Sequence, residues 1–183
     1  MKVTIVEIDI DRDPVLHRHM CRQLYKQWEE NYNNLFGVYS VDELVQFYKK
    51  HRQYVPYAAM SEDGDFVGCY SLMKKGNLYW LTDVYVVDGM RSRGIGTMIV
   101  QDVLRDCPQV ALNAQPDMVG FYERFGFKRG TLKAYQGVHN KKLYEYYPMY
   151  YGTEGEERSH ISRMVVTIMV LVALGIAGLV WVL

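Results

Sequence analysis

An apolar run from Asn77 to Val87, a turn reading Arg91-Ser92-Arg93-Gly94-Ile95-Gly96-Thr97 and a helical pattern from Ile95 to Leu104 follow one another along the chain. The run predicts a strand and the pattern a helix, so the basic, glycine-bearing turn falls where a strand hands over to a helix N-terminus. Gln109 to Ala114 reads as a further strand, which makes the unit a right-handed strand-helix-strand crossover. The first amides of a helix lack intrahelical partners and carry partial positive charge, and Gly94 and Gly96 remove side chains that would keep a ligand away. The turn can therefore hold phosphate, with a pyrophosphate as the natural occupant; the plainer alternative is a tight surface turn.

The remaining elements build a sheet around this unit. Val3 to Ile8 alternates as a half-buried strand, and Asp11 to Pro14 opens a helix over Val15 to Glu30 whose Leu16, Met20, Leu24 and Trp28 form one stripe. Asn31 to Asn34 breaks that pattern as a loop, and Ser40 with Glu43 is a capping box for a helix over Val41 to His51. Tyr54 to Met60, Phe66 to Lys74 and Asn77 to Val87, separated by turn residues, read as an antiparallel meander. Met118 to Phe125 is a brief helix ended by Gly126, and Phe127 to Leu132 and Lys142 to Tyr147 are closing strands. The fold class is α+β, a mixed and mostly antiparallel sheet flanked by helices.

Met164 to Leu183 contains no charged residue. Twenty helical residues at about 1.5 Å each reach roughly 30 Å, the thickness of a bilayer's hydrocarbon core, so the tail predicts a transmembrane helix; a buried core helix is the alternative. Arg158, His160 and Arg163 precede it, and Met1 to Ile5 has no apolar signal stretch, which predicts a tail anchor with the N-terminal domain cytosolic. The organisation is a domain over 1–151, a polar linker over 152–163 and the anchor over 164–183. Ala173 and Ala177 have a small-xxx-small spacing that permits pairing of two tails, hence a homodimer, although ordinary membrane-helix composition also accounts for it.

Lysine plus arginine and aspartate plus glutamate number 21 each, so no electrostatic footprint of nucleic acid is present. Three cysteines, Cys21, Cys69 and Cys107, have no metal-like spacing and read as reduced thiols, with no metal site expected.

Arg91 to Thr97, together with Leu112-Asn113-Ala114-Gln115 continuing to Phe121-Tyr122-Glu123-Arg124-Phe125-Gly126-Phe127, resembles the GNAT superfamily of N-acetyltransferases. The first piece is similar to that family's acetyl-CoA motif and the second to its Phe-Tyr helix before Gly-Phe; the likeness spans about Val3 to Tyr147. It implies that Val84, Tyr85 and Val86 line a gap between splayed strands where their backbone meets the pantetheine arm. It also implies that the amides of Ser92, Arg93, Gly94, Ile95, Gly96 and Thr97 take the pyrophosphate with help from Arg91 and Arg93, and that Gln115 contacts the pantetheine. Tyr122 would protonate the departing sulfur, while Phe121, Phe125 and Phe127 read as core.

The implied reaction is direct attack of a neutral primary amine, of a small molecule or a protein, on the acetyl thioester of acetyl-CoA, with a backbone amide among Val84 to Val86 near the developing oxyanion. An alkyl amine is about 99.9 % protonated at pH 7, and stripping it costs on the order of 4 kcal/mol, so a base is needed. Thr82 stands where a carboxylate is often found in the family. Asp83 is adjacent but reaches the site only if a bulge resets the strand's register; capping or pairing is its other reading. Glu29 and Glu30 are weaker candidates. A CoA-binding interaction module without turnover is the alternative function.

Tyr135, Tyr144, Tyr146, Tyr147, Tyr150 and Tyr151 crowd the end of the domain, where they would either line an acceptor pocket or, for Tyr150 and Tyr151, sit at a headgroup boundary. His17, His19 and His51 have no partner spacing and are expected at the surface.

Overall fold

The computed structural model describes residues 2–152 of the 183. In chain order these are β1 (Val3–Glu7), α1 (Pro14–Asn31), a π-helical turn (Tyr32–Phe36), α2 (Val41–Lys50), β2 (Tyr54–Ser61), β3 (Phe66–Lys75), β4 (Leu78–Val86), α3 (Ile95–Asp106), β5 (Val110–Ala114), α4 (Val119–Glu123), β6 (Lys128–Arg129), β7 (Lys133–Gln136) and β8 (Leu143–Tyr151). The predicted anchor over 164–183, and all but the first residue of the predicted linker, lie outside the described residues. Among the described residues no helix is long and apolar enough to cross a membrane.

The sheet runs β1-β2-β3-β4-β5-β8-β6, with β7 on β8, and β4 with β5 is its one parallel pair among the described residues. Both faces are covered. Side-chain alternation sends Ala58 and Cys69 toward α1 and α2, where Met20, Leu24, Leu44 and Tyr48 are buried, and sends Ala59 and Tyr70 toward α3 with Ile95, Ile99 and Val103. Asp13 caps α1 by accepting from the Leu16 amide at 3.2 Å, with Pro14 at the first turn. Ser40 caps α2, accepting from the Glu43 amide at 3.1 Å.

Four expectations are corrected. His17 is fully buried rather than exposed, because it shares the inward face of α1 with Met20, Cys21 and Leu24 and its ring meets Tyr48 edge-on at 5.4 Å. The loop expected at Asn31 to Asn34 is a π-helical turn, held from outside the segment: Tyr32 reaches Asp83, and Asn34 accepts from the Asn140 amide at 3.2 Å. Such tertiary bonds override the local breaker signal. The closing strands are β6, β7 and a longer β8, with β7 not foreseen; β7 pairs Lys133 to Gln136 against Tyr146 to Leu143. Tyr150 and Tyr151 are ladder residues opposite Ala111 and Val110, and Tyr150 is buried, so the headgroup placement does not hold for Tyr150.

Candidate active site

The parallel pairing of β4 and β5 is confined to Tyr79 with Val110 and Trp80 with Ala111. Past Trp80 the two strands no longer share a ladder, since β5 continues on β8 from Val110 to Ala114 while β4 stays with β3. The β4 edge that faces this gap carries Val84, Tyr85 and Val86, and all three line a cavity of about 930 Å³. The Tyr85 ring packs in the α1–α2 core and meets Trp28 edge-on at 6.1 Å.

At one end of the cavity lies the turn before α3. Ser92 and Gly94 both have left-handed backbones, with φ of 62° and 83°. Left-handed residues in such a turn gather successive amides into an anion-binding concavity, and at Gly94 the αL conformation is one that glycine adopts freely. Among the described residues none of the amides from Ser92 to Thr97 donates a backbone hydrogen bond, and a Cβ on Gly94 would stand in open space. Ser92, Gly94, Ile95, Gly96 and Thr97 are on the cavity wall. Arg91 is there too, holding the Val86 carbonyl at 3.3 Å, the Gln27 amide oxygen at 3.2 Å and Asp88 at 2.8 Å. Arg93 is exposed and off the wall.

Gln115 and Tyr122 stand on the wall as well, brought there by β5 and α4. Tyr122 is buried, wedged edge-on between Phe121 at 5.0 Å and Phe127 at 5.7 Å, and its hydroxyl makes no hydrogen bond among the described residues. Burial holds its proton more tightly than in an ordinary tyrosine. Phe121, expected as simple core, is also on the wall.

Asp83 depends on a bulge, and the bulge is present. The β3–β4 register shifts between Cys69 and Ser71, and Asp83 itself has φ 55°. Asp83 is on the cavity wall, and its carboxylate accepts from three hydroxyls: Tyr48 at 2.7 Å, Thr82 at 2.9 Å and Tyr32 at 3.0 Å. Burial, with the Asp83 charge beside them, pushes the Tyr32 and Tyr48 hydroxyls well above the usual tyrosine range, so both remain donors. Three of roughly four acceptor positions of the carboxylate are thereby filled. Tyr32 and Tyr48 were not foreseen as site residues: Tyr32 falls in the segment expected as a loop and Tyr48 on the helix expected over Val41 to His51.

Glu29 and Glu30 are not on the wall. Glu30 is drawn away by Lys142 at 2.9 Å and Asn140 at 3.1 Å, and the Lys142 ammonium holds its carboxyl below the usual carboxylate range. Of the tyrosine cluster, Tyr146 alone is on the wall, with its hydroxyl taken by Asn31 at 2.6 Å. Among the described residues no group of three or more His, Cys, Asp or Glu is arranged to hold a metal.

A single cavity thus joins an amide-rich turn, a strand edge without ladder partners and a buried tyrosine hydroxyl. A model of the acetyltransferase (GNAT) family matches residues 21–127, which include all of these features. The chain belongs to this family. It is an N-acetyltransferase, and its family uses acetyl-CoA. This acetyltransferase shares its fold with solved structures at low identity. One is a chimera of spermidine N-acetyltransferase SpeG from Vibrio cholerae and hSSAT, 15% identical with a TM-score of 0.62 over 82% of this chain and 95% of that chain. Another is a putative phosphinothricin N-acetyltransferase, 14% identical with a TM-score of 0.62 over 84% and 100%. Vibrio cholerae spermidine N-acetyltransferase in complex with CoA and spermine is 14% identical with a TM-score of 0.60 over 81% and 94%. No curated protein matches the acetyltransferase.

Proposed function

We propose that this protein is an acetyl-CoA-dependent N-acetyltransferase acting on a primary amine by direct attack, at the cytosolic face of a membrane. The observation that carries the reading is that the turn before α3, Tyr122 and Asp83 line the same cavity. The free amides from Ser92 to Thr97 would hold the pyrophosphate of acetyl-CoA, Val84 to Val86 and Gln115 its pantetheine arm, and Arg91 would add charge at the turn. Bound there, acetyl-CoA supplies an acetyl group activated as a thioester.

The acetyltransferase's own groups handle the protons. An incoming ammonium must lose two on its way to an amide. Asp83, with one acceptor position left, receives the first and passes it to solvent, while the second ends on the departing thiolate through Tyr122 Oη. Amide and free thiol form, one proton is released, and no covalent enzyme intermediate is required.

Membrane attachment rests on the charge-free run from Met164 to Leu183. Titration calorimetry of the full-length protein with acetyl-CoA tests the donor site, and no heat of binding would remove it. Thiol release across an amine panel tests transfer. Recovery of the full-length protein in the supernatant after an alkaline carbonate wash of membranes would remove the anchor.

A further inference from the structure

The acceptor end of the cavity is built from rings around one charge. Trp28, Tyr32, Phe36, Phe47, Tyr48 and Tyr54 are on its wall with Asp83. They interlock: Tyr32 lies 5.9 Å from Phe36, and Phe47 lies 5.9 Å from Tyr48 and 5.6 Å from Tyr54. Tyr32 and Tyr48 do two things at once, giving their hydroxyls to Asp83 and their rings to the wall. The cavity's other carboxylate, Asp117, is exposed on the turn after Gln115, so Asp83 is its one half-buried negative group among the described residues.

We propose that this chamber selects a primary amine carrying a single positive charge on an apolar body, an alkylamine or arylalkylamine, and rejects polyamines. The inference rests on the acetyltransferase reading above and names its acceptor class. One carboxylate compensates one ammonium, and ring faces nearby favour the same cation. The rest of such an acceptor meets apolar wall. A second ammonium would be stripped of water there with no carboxylate to meet it, a cost that apolar contact does not return.

The test is thiol release by the full-length protein with acetyl-CoA and a matched set of amines: n-propylamine, n-pentylamine, 2-phenylethylamine, putrescine and spermidine. Putrescine differs from n-pentylamine by an ammonium in place of a terminal methyl. The expected result is kcat/KM rising about fourfold per methylene through the alkyl series. 2-Phenylethylamine should at least equal n-pentylamine, and putrescine should fall at least tenfold below it. Putrescine or spermidine matching n-pentylamine, or a flat alkyl series, overturns the inference and leaves the acetyltransferase reading standing. Binding of acetyl-CoA with no turnover of any amine overturns both. Quenching of tryptophan emission by n-pentylamine but not by putrescine, with Trp28 and Trp80 on the wall, is the turnover-free expectation; equal quenching by both counts against the chamber's selectivity.

Discussion

Tyr48 donates its hydroxyl to Asp83 at 2.7 Å, and the same oxygen meets the Ser71 hydroxyl at 2.8 Å. One residue on α2 thereby fastens a bulge on β4 to the core of β3. The Asp83 carboxylate is consequently tied to the neighbouring strand as well as to its own. A left-handed aspartate in mid-strand is a strained choice, and the hydroxyls that converge on it are what hold it there.

Tyr48→Phe removes that fastening while keeping the ring. Ser71 and Asp83, both within the packed structure, each lose a partner, which costs about 1–3 kcal/mol. Urea unfolding followed by circular dichroism should show a lower midpoint with an unchanged slope. Activity should fall as well, because Asp83 is freed to turn. A variant as stable and as active as the parent would show that Tyr32 and Thr82 suffice.

Tyr122→Phe addresses the other end of the reaction. The ring contacts with Phe121 and Phe127 are kept, and no hydrogen bond is lost among the described residues, so stability should hold within about 0.5 kcal/mol. Loss of a proton donor from the leaving sulfur should lower kcat by roughly 10²- to 10⁴-fold while acetyl-CoA affinity measured by calorimetry stays put. An unchanged kcat would take Tyr122 out of the mechanism.

The turn before α3 is legible in the sequence because its signals are local: two glycines one residue apart, preceded by a strand and followed by a helix, place Arg91 to Thr97 without any other part of the chain. Asp83 could be read only conditionally, since its direction is decided by β3 pairing across a register shift that no residue of β4 announces. Tyr32 and Tyr48 were illegible for a related reason. Tyr32 falls in a segment that reads as a loop and Tyr48 on a helix, and nothing local tells that both are core and that their hydroxyls end at a strand residue 51 and 35 positions away. His17 shows the converse: a polar residue without partner spacing reads as surface, while the face it shares with Met20 and Cys21 carries it inside.

His17 supplies a pH dependence. Burial pushes its imidazole down to about 4 from an ordinary 6.5, and Lys49 and Arg52 push the same way. The unfolded chain therefore takes a proton as pH falls through 6.5, whereas the folded chain resists until about 4. The contribution to stability is complete above 6.5, is lost progressively between 6.5 and 4, and changes no further below. The loss is at most about 3 kcal/mol. Urea midpoints measured at pH 7, 6 and 5 should fall in that order, and His17→Leu should flatten the slope. An equal slope in the variant would assign the effect to other groups.

Gly68 sets how closely β3 approaches β4 beside the bulge. A Cβ there would come within 2.6 Å of the Tyr85 carbonyl oxygen and 3.5 Å of Ile99 Cδ1. Ile99 is a side-chain end that can shift, but the carbonyl belongs to a paired strand opposite Cys69 and cannot. Gly68→Ala must therefore part the two strands next to Asp83 and along Val84 to Val86, the backbone assigned to the pantetheine arm. Overpacking of this kind costs about 1–3 kcal/mol. Ile99→Val is the control, because it thins the same core for about 0.5–1.5 kcal/mol without touching the strand spacing. The expectation is that Gly68→Ala weakens acetyl-CoA binding by at least tenfold in calorimetry while Ile99→Val leaves it within twofold. If both variants lose affinity in proportion to stability, the strand spacing is not what holds the arm.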